Sequence, residues 1–228
     1  MVKKNKKAAV EKRSAQKIGK ELDFASTEAY NLLRTNLSFS LPDNDSGKVI
    51  GVTSPCPQEG KSTTSLNLAY SLAEAGNSVL LIDADLRRPS VCKMLDLPKA
   101  PGLSNLLAED SENAIHKGIL SEKLSVLLSG DVPPNPSELI VSDKMKKLIE
   151  KFRGEYDYII ADLPPVISVS DPLAMSRNID GMIVIVRHGH TRRSDVVETM
   201  RQLKLVNINV LGFVYNGASR NKPSYSHD

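Results

Sequence analysis

A doubly wound α/β domain with a mainly parallel sheet is what the sequence predicts, and three observations predict it. Short apolar runs alternate with segments of helical spacing from residue 48 to residue 217, the order expected of successive βαβ units. Three of those runs, VLLIDA (79–84), YDYIIAD (156–162) and GMIVIV (181–186), are apolar almost throughout, as strands covered on both faces must be. The strand at 48–54 runs directly into a glycine-containing turn and a helix, a junction at which ligands bind in such sheets.

Each element has its own justification. Apolar and polar residues alternate at helical spacing from Thr27 to Ser40, with Ser26 or Thr27 as the expected cap. Pro42 and the run to Gly47 end that helix. KVIGVTS (48–54) reads as a strand, residues 60–76 as a helix closed by Gly76, and 78–84 as a second strand. Residues 89–110 read as one or two short helices broken between Lys99 and Gly102, and LSVLLSG (124–130) as strand-like. A single helix is expected from Pro136 to Arg153, with Ser137 near its start. The strand at 156–163 stops at Pro164 and Pro165, and a short helix follows over 171–178. A strand at 181–187, a helix at 194–206 and a last strand at 209–217 complete the pattern. Chemistry in such a sheet lies beyond the carboxyl ends of the strands, after Thr53, Ile82, Ile160, Val186 and Val214.

Composition excludes several functions. With 228 residues the chain can bury one core without splitting into two. Aromatic residues are 4% and Trp is absent, which argues against a base-stacking nucleic-acid platform. No apolar run approaches the length of a membrane span, and no apolar stretch follows the first charges, so a cytoplasmic protein is expected. Two cysteines, Cys56 and Cys92, make neither a disulfide framework nor a four-cysteine metal site. The net charge of +3 is uneven: residues 1–20 hold eight basic groups and one acid, leaving the rest at −4. Residues 1–25 therefore read as a basic flexible tail, 26–217 as the folded domain and 218–228 as a second flexible tail. The basic tail is either a solvated arm or an electrostatic contact for an anionic membrane leaflet.

Three motifs carry chemistry. PCPQEGKST (55–63) matches the phosphate-loop pattern except at its first position, Pro55. Backbone N–H groups from Glu59 to Thr63 face a phosphate at a helix N-terminus, Gly60 permits close approach, and Lys61 neutralises the β- and γ-phosphates. The Ser62 hydroxyl is a candidate Mg²⁺ ligand. VLLIDADLRRP (79–89) places Asp83 and Asp85 just past a strand end, on one side if the extended geometry continues. Paired acids beside a triphosphate suit Mg²⁺ binding and general-base work. Arg87 and Arg88 either meet phosphate or form a solvated rim. In YDYIIADLPP (156–165) an apolar strand ends in Asp162, the Walker B arrangement.

With IDADLRRP and ADLPP behind the phosphate loop, the chain resembles the bacterial tyrosine kinases, the cytoplasmic kinases of capsule and exopolysaccharide operons. The resemblance runs from about Ser26 to about Asn216. It implies a deviant P-loop NTPase fold of the MinD/ParA-related type and an ATP- and Mg²⁺-dependent, autophosphorylating protein tyrosine kinase. By the same resemblance Asp83 inherits activation of the tyrosine hydroxyl, while Asp85 and Asp162 inherit Mg²⁺ binding. A transmembrane adaptor with a cytoplasmic tail, protein tyrosine substrates and a homo-oligomer, possibly a ring, are its implied partners, and nucleic acid is not among them. Recruitment to the inner face of the membrane would come through that adaptor.

Two departures stand out. The family's assembly motif, Glu-x-x-Arg-x-x-Arg on the helix before the first strand, appears here as Glu28, Asn31 and Arg34, with the middle Arg lost. The family's tyrosine cluster near the carboxyl end is reduced to Tyr225, the expected phosphoacceptor. Asn216 follows the last strand, where related NTPases contact adenine. His188 and His190 read as loop residues, and the basic cluster around them as either a cradle for an acidic substrate or a solvated turn. Cys56 reads as a small tolerated residue in the phosphate loop. The competing function is a MinD/ParA-like ATPase switch. Those proteins carry a second lysine where Cys56 stands, and the membrane-binding ones end in an apolar, basic helix that ASRNKPSYSHD does not offer.

Overall fold

The computed structural model describes residues 17–41, 46–108 and 114–218. Its seven strands are β1 (Lys48–Thr53), β2 (Val79–Asp83), β3 (Ile115–Lys117), β4 (Leu124–Leu127), β5 (Tyr158–Asp162), β6 (Gly181–Arg187) and β7 (Val210–Asn216). They form one sheet in the order β3-β4-β2-β5-β1-β6-β7. Every pairing is parallel except β3 with β4. β3 is an element the sequence reading left out: three residues, none of them buried, give too short an apolar pattern to see.

Alternation along the strands builds two cores, one on each face. Leu80 and Ile82 of β2 and Ile159 and Ala161 of β5 pack on one face, and Leu81 and Ile160 on the other. The second face is covered by α1 (Phe24–Ser40), α2 (Lys61–Glu74) and α3 (Val91–Leu95), through Leu37, Leu66, Leu72 and Val91. The first face is covered by α4 (Leu103–Ala108), α5 (Pro136–Val141), α6 (Asp143–Arg153), α7 (Asp171–Met175) and α8 (Arg193–Leu205), through Leu103, Ile140, Ile149, Phe152, Met175 and Leu203. β2 and most of β5 are buried, which is why they read as unbroken apolar runs.

Three boundaries differ from expectation. α1 begins at Phe24 because Asp23, not Ser26 or Thr27, is its cap: the carboxylate accepts the Ser26 N–H at 2.8 Å. Residues 19–25, expected as part of the tail, belong to the fold. Residues 19–21 form a 3-10 turn, and the Asn67 side chain accepts the Gly19 N–H at 2.9 Å. Residues 1–16, and with them most of that tail, lie outside the described residues. The helix expected from Pro136 to Arg153 is two helices. Ser142 adopts an extended backbone (φ −67°, ψ 152°) and its hydroxyl accepts the Met145 N–H, ending α5 and capping α6. Ser137 does not cap; its hydroxyl donates to Asp171 at 2.7 Å.

Candidate active site

The carboxyl ends of β1, β2 and β5 converge because the three strands are neighbours in the sheet, and their register aligns Asp83 with Asp162. The turn after β1 becomes α2. Gly60, at φ 93°, is its N-cap, and the first intrahelical bond runs from Thr64 N to Gly60 O. The N–H groups of Lys61, Ser62 and Thr63 therefore sit in the first turn, where a helix has donors to spare and favours an anion. Glycine is required at position 60 twice over. Its φ is left-handed, and a Cβ there would fall 2.0 Å from Nδ2 of Asn216.

Lys61 projects back across this turn. Its ammonium pairs with Asp85 at 3.1 Å, with 12% of its side chain exposed. Burial alone would lower its pKa, but the carboxylates of Asp162, Asp85 and Asp83 raise it. Asp83 is fully buried, and burial with the nearby Asp162 and Asp85 pushes its carboxyl up to about 8. Burial likewise raises Asp162, against the pull of Lys61 and of hydrogen bonds from Ser62 and Ser65. One lysine thus faces three carboxylates in a low-dielectric site, an excess of negative charge that a further cation would relieve.

The donor atoms fit Mg²⁺. Oδ1 of Asp83 and Oδ2 of Asp162 are buried and accept no hydrogen bond from the described residues, a costly state unless a ligand completes them. No group of three or more His, Cys, Asp or Glu arranged to hold a metal occurs among the described residues. The candidate set of Ser62, Asp85 and Asp162 is instead the mixed kind that phosphate oxygens and water complete. In the chain itself Oγ of Ser62 accepts from Ser90 at 2.7 Å, and Ser65 lies 3.1 Å from Asp162. Ser65 and Ser90 carry no motif and were invisible in the sequence.

The other residues singled out in the sequence stand as follows. The Glu59 side chain turns inward, fully buried, and accepts the Cys56 N–H at 2.8 Å and the Thr191 hydroxyl. Asn216 donates to Glu59 O at 2.9 Å, so it stands at the phosphate loop. Arg87 resolves as a strut: it pairs with the buried Asp171 at 2.8 Å and donates to Ser137. The Arg88 N–H holds the other oxygen of Asp85 at 3.0 Å. The Cys56 thiol is pushed up by burial and by Glu59 and Asp195, the opposite of a reactive thiolate. His188 meets the Tyr215 hydroxyl and His190 meets Pro57 O. Asn31 bonds to Glu28 at 3.0 Å, and Arg34 donates to Ser71 O of α2 at 2.8 Å. Tyr225 lies outside the described residues.

Comparison with known proteins identifies the arrangement. The ParA family model, described as NUBPL iron-transfer P-loop NTPase, matches residues 46–227. Tyrosine-protein kinase YwqD of Bacillus subtilis is 38% identical over 201 residues, covering 87% of this chain and 84% of its own length. The kinase domain of the Escherichia coli tyrosine kinase Etk superposes with a TM-score of 0.80 at 32% identity, over 89% of this chain and 80% of that one. This chain spans only 28% of the whole Etk protein. The septum-site protein MinD of Pyrococcus horikoshii, solved with Mg-ADP, superposes with a TM-score of 0.62 at 26% identity, over 76% of this chain and 72% of that one. A phosphate loop opposite three converging carboxylates, on a ParA-type sheet and with these relatives, means that the chain belongs to the bacterial tyrosine-protein kinases.

Proposed function

We propose that the chain transfers the γ-phosphoryl group of ATP to tyrosine hydroxyls of protein substrates, its own copies among them, in the service of capsular or extracellular polysaccharide assembly. The observation that supports this best is the cluster of Lys61, Asp83, Asp85 and Asp162, with two buried carboxylate oxygens left to be completed. First-turn N–H groups of α2 and the Lys61 ammonium hold the β- and γ-phosphates. Ser62, Asp85 and Asp162 would hold Mg²⁺, which would supply charge neutralisation to the phosphates when bound. Asp83 accepts the tyrosine proton as the oxygen attacks in line. Phosphoryl transfer needs little else from the protein than position and charge.

The partner reading rests on the family. A separate membrane-anchored adaptor would present a cytoplasmic tail that activates the kinase; no helix among the described residues is long and apolar enough to cross a membrane. The test is phosphotyrosine formation from Mg-ATP, with and without the cytoplasmic tail of such an adaptor. Lys61→Met is expected to abolish both nucleotide binding and transfer. ATP hydrolysis with no phosphotyrosine under any condition would favour the ATPase-switch reading instead.

A further inference from the structure

The phosphate loop holds a residue that its conformation disfavours. Gln58 sits at φ 64°, in the left-handed region that a side chain disfavours. Such a residue persists only where its surroundings over-determine it. Beside the hydrogen bond from Asn216 to Glu59 O, those surroundings come from the end of β6 and the turn after it. The Arg187 guanidinium donates to Gln58 O at 2.7 Å. Nε2 of His190 donates to Pro57 O at 3.2 Å, and the Thr191 hydroxyl donates to Glu59. Three consecutive loop residues are thus each tied to a turn more than 120 positions away in the sequence. Thr191 also accepts the Arg187 N–H at 2.7 Å, which closes the turn on itself.

None of these side chains reaches the catalytic acids. Arg187 and His190 are exposed, and the contacts they make with the loop are to the backbone carbonyls of Gln58 and Pro57. A carbonyl held in this way fixes the peptide plane, and so fixes where the N–H on its other side points.

We infer that Arg187, with His190 and Thr191, forms a brace that holds the phosphate loop, strained Gln58 included, in the geometry that receives a polyphosphate. These are positioning residues: they act through the loop and touch neither nucleotide nor substrate. The inference rests on the nucleotide-site reading above and adds an element to it that no phosphate-loop motif contains. It also gives Arg187, read from sequence as part of a substrate cradle or a solvated turn, a contact within the chain.

A double-mutant cycle with a binding readout tests it. Mg-ADP binding is measured by titration calorimetry on the full chain, for wild type, Arg187→Ala, Gln58→Gly and both together. Losing one charge-assisted hydrogen bond is expected to weaken Mg-ADP about ten-fold in Arg187→Ala. Gly at 58 removes the strain that the brace opposes, so in the Gln58→Gly background the same change should weaken binding less than about three-fold. Thr191→Val should weaken binding in the same direction, with Thr191→Ser restoring it. At saturating ATP the turnover of Arg187→Ala should fall less than its Mg-ADP affinity, because the acids are untouched; a general structural defect would lower both together. Equal losses in both backgrounds, or no loss in Arg187→Ala while wild type binds, would overturn the brace alone. Failure of wild type to bind Mg-ADP would overturn the nucleotide reading and the brace with it.

Discussion

Asp83 is a carboxyl group that folding works against. Its pKa lies near 3.8 in the unfolded chain and about 8 in the metal-free fold, raised by burial and then by Asp162. The folded state therefore binds the extra proton between those values, and its stability falls as pH rises from about 4 through 8. Asp83→Asn removes that penalty. In metal-free buffer at pH 8 the variant should melt at a higher temperature than wild type, with the advantage shrinking toward pH 4, as calorimetry at the two pH values would show. The same variant should bind nucleotide and lose about 10²–10⁴-fold in phosphotyrosine formation, because an amide accepts no proton. Near wild-type transfer would remove Asp83 from the role of base. Both acid motifs were legible as residue types at strand ends, yet the excess of negative charge was not. It appears only when the register sets Asp83 beside Asp162.

At the scale of elements, the strand-to-helix junction at 53–61 is tightly constrained. Gly60→Ala would force a side chain into φ 93° and against Asn216 of β7. We expect a loss of about 1–2 kcal/mol in unfolding free energy from the backbone alone, measured by denaturant titration, and nucleotide affinity reduced in step. A variant with unchanged stability and affinity would show that the Gly60–Asn216 contact is not needed. The junction's motif was plain in sequence. Glu59 and Asn216 were expected at the nucleotide, but their contacts with each other and with the turn after β6 were not visible, because they come from the loop after β1, from β6 and from β7 and meet only in three dimensions. Helix ends show the same division. Asp23 capped one turn earlier than periodicity suggested, and Ser142 broke a helix that an uninterrupted polar and apolar pattern carried through. Local side-chain hydrogen bonds decided both, and hydrophobic spacing does not report them.

At the scale of the whole molecule, α1 and the tyrosines bear on assembly and autophosphorylation. The solvent side of α1 carries Phe24, Leu32 and Phe39, all strongly exposed, while Arg34 is committed to Ser71 within the chain. Glu28 remains exposed and bonded only locally to Asn31 among its described contacts. We predict a weak oligomer whose mass rises with concentration in light scattering, and falls to monomer in Glu28→Ala plus Arg34→Ala. A tight oligomer indifferent to both changes would contradict it. Tyr30 and Tyr158 are part-buried in the two helical and strand layers, poor acceptors for a neighbour's active site. Mass spectrometry after incubation with Mg-ATP and adaptor tail should find phosphate chiefly on Tyr225, and phosphate on Tyr30, Tyr70, Tyr156 or Tyr158 with Tyr225 unmodified would refute that assignment.

The sequence by itself determined the layer order, six of the seven strands and the identities of the phosphate-loop lysine and the three acids. Those features are written in local periodicity and in short contiguous motifs, which physics reads over a few residues. Only the tertiary structure decided what surrounds them. Strand order brought Asp83, Asp85 and Asp162 around one lysine, Asn67 fastened residues 17–19 to α2, Asp171 turned Arg87 into a strut, and the turn after β6 gripped the phosphate loop. Each of those contacts joins residues far apart in the chain, and a side chain's partner across such a distance is fixed by packing and register rather than by its neighbours in sequence.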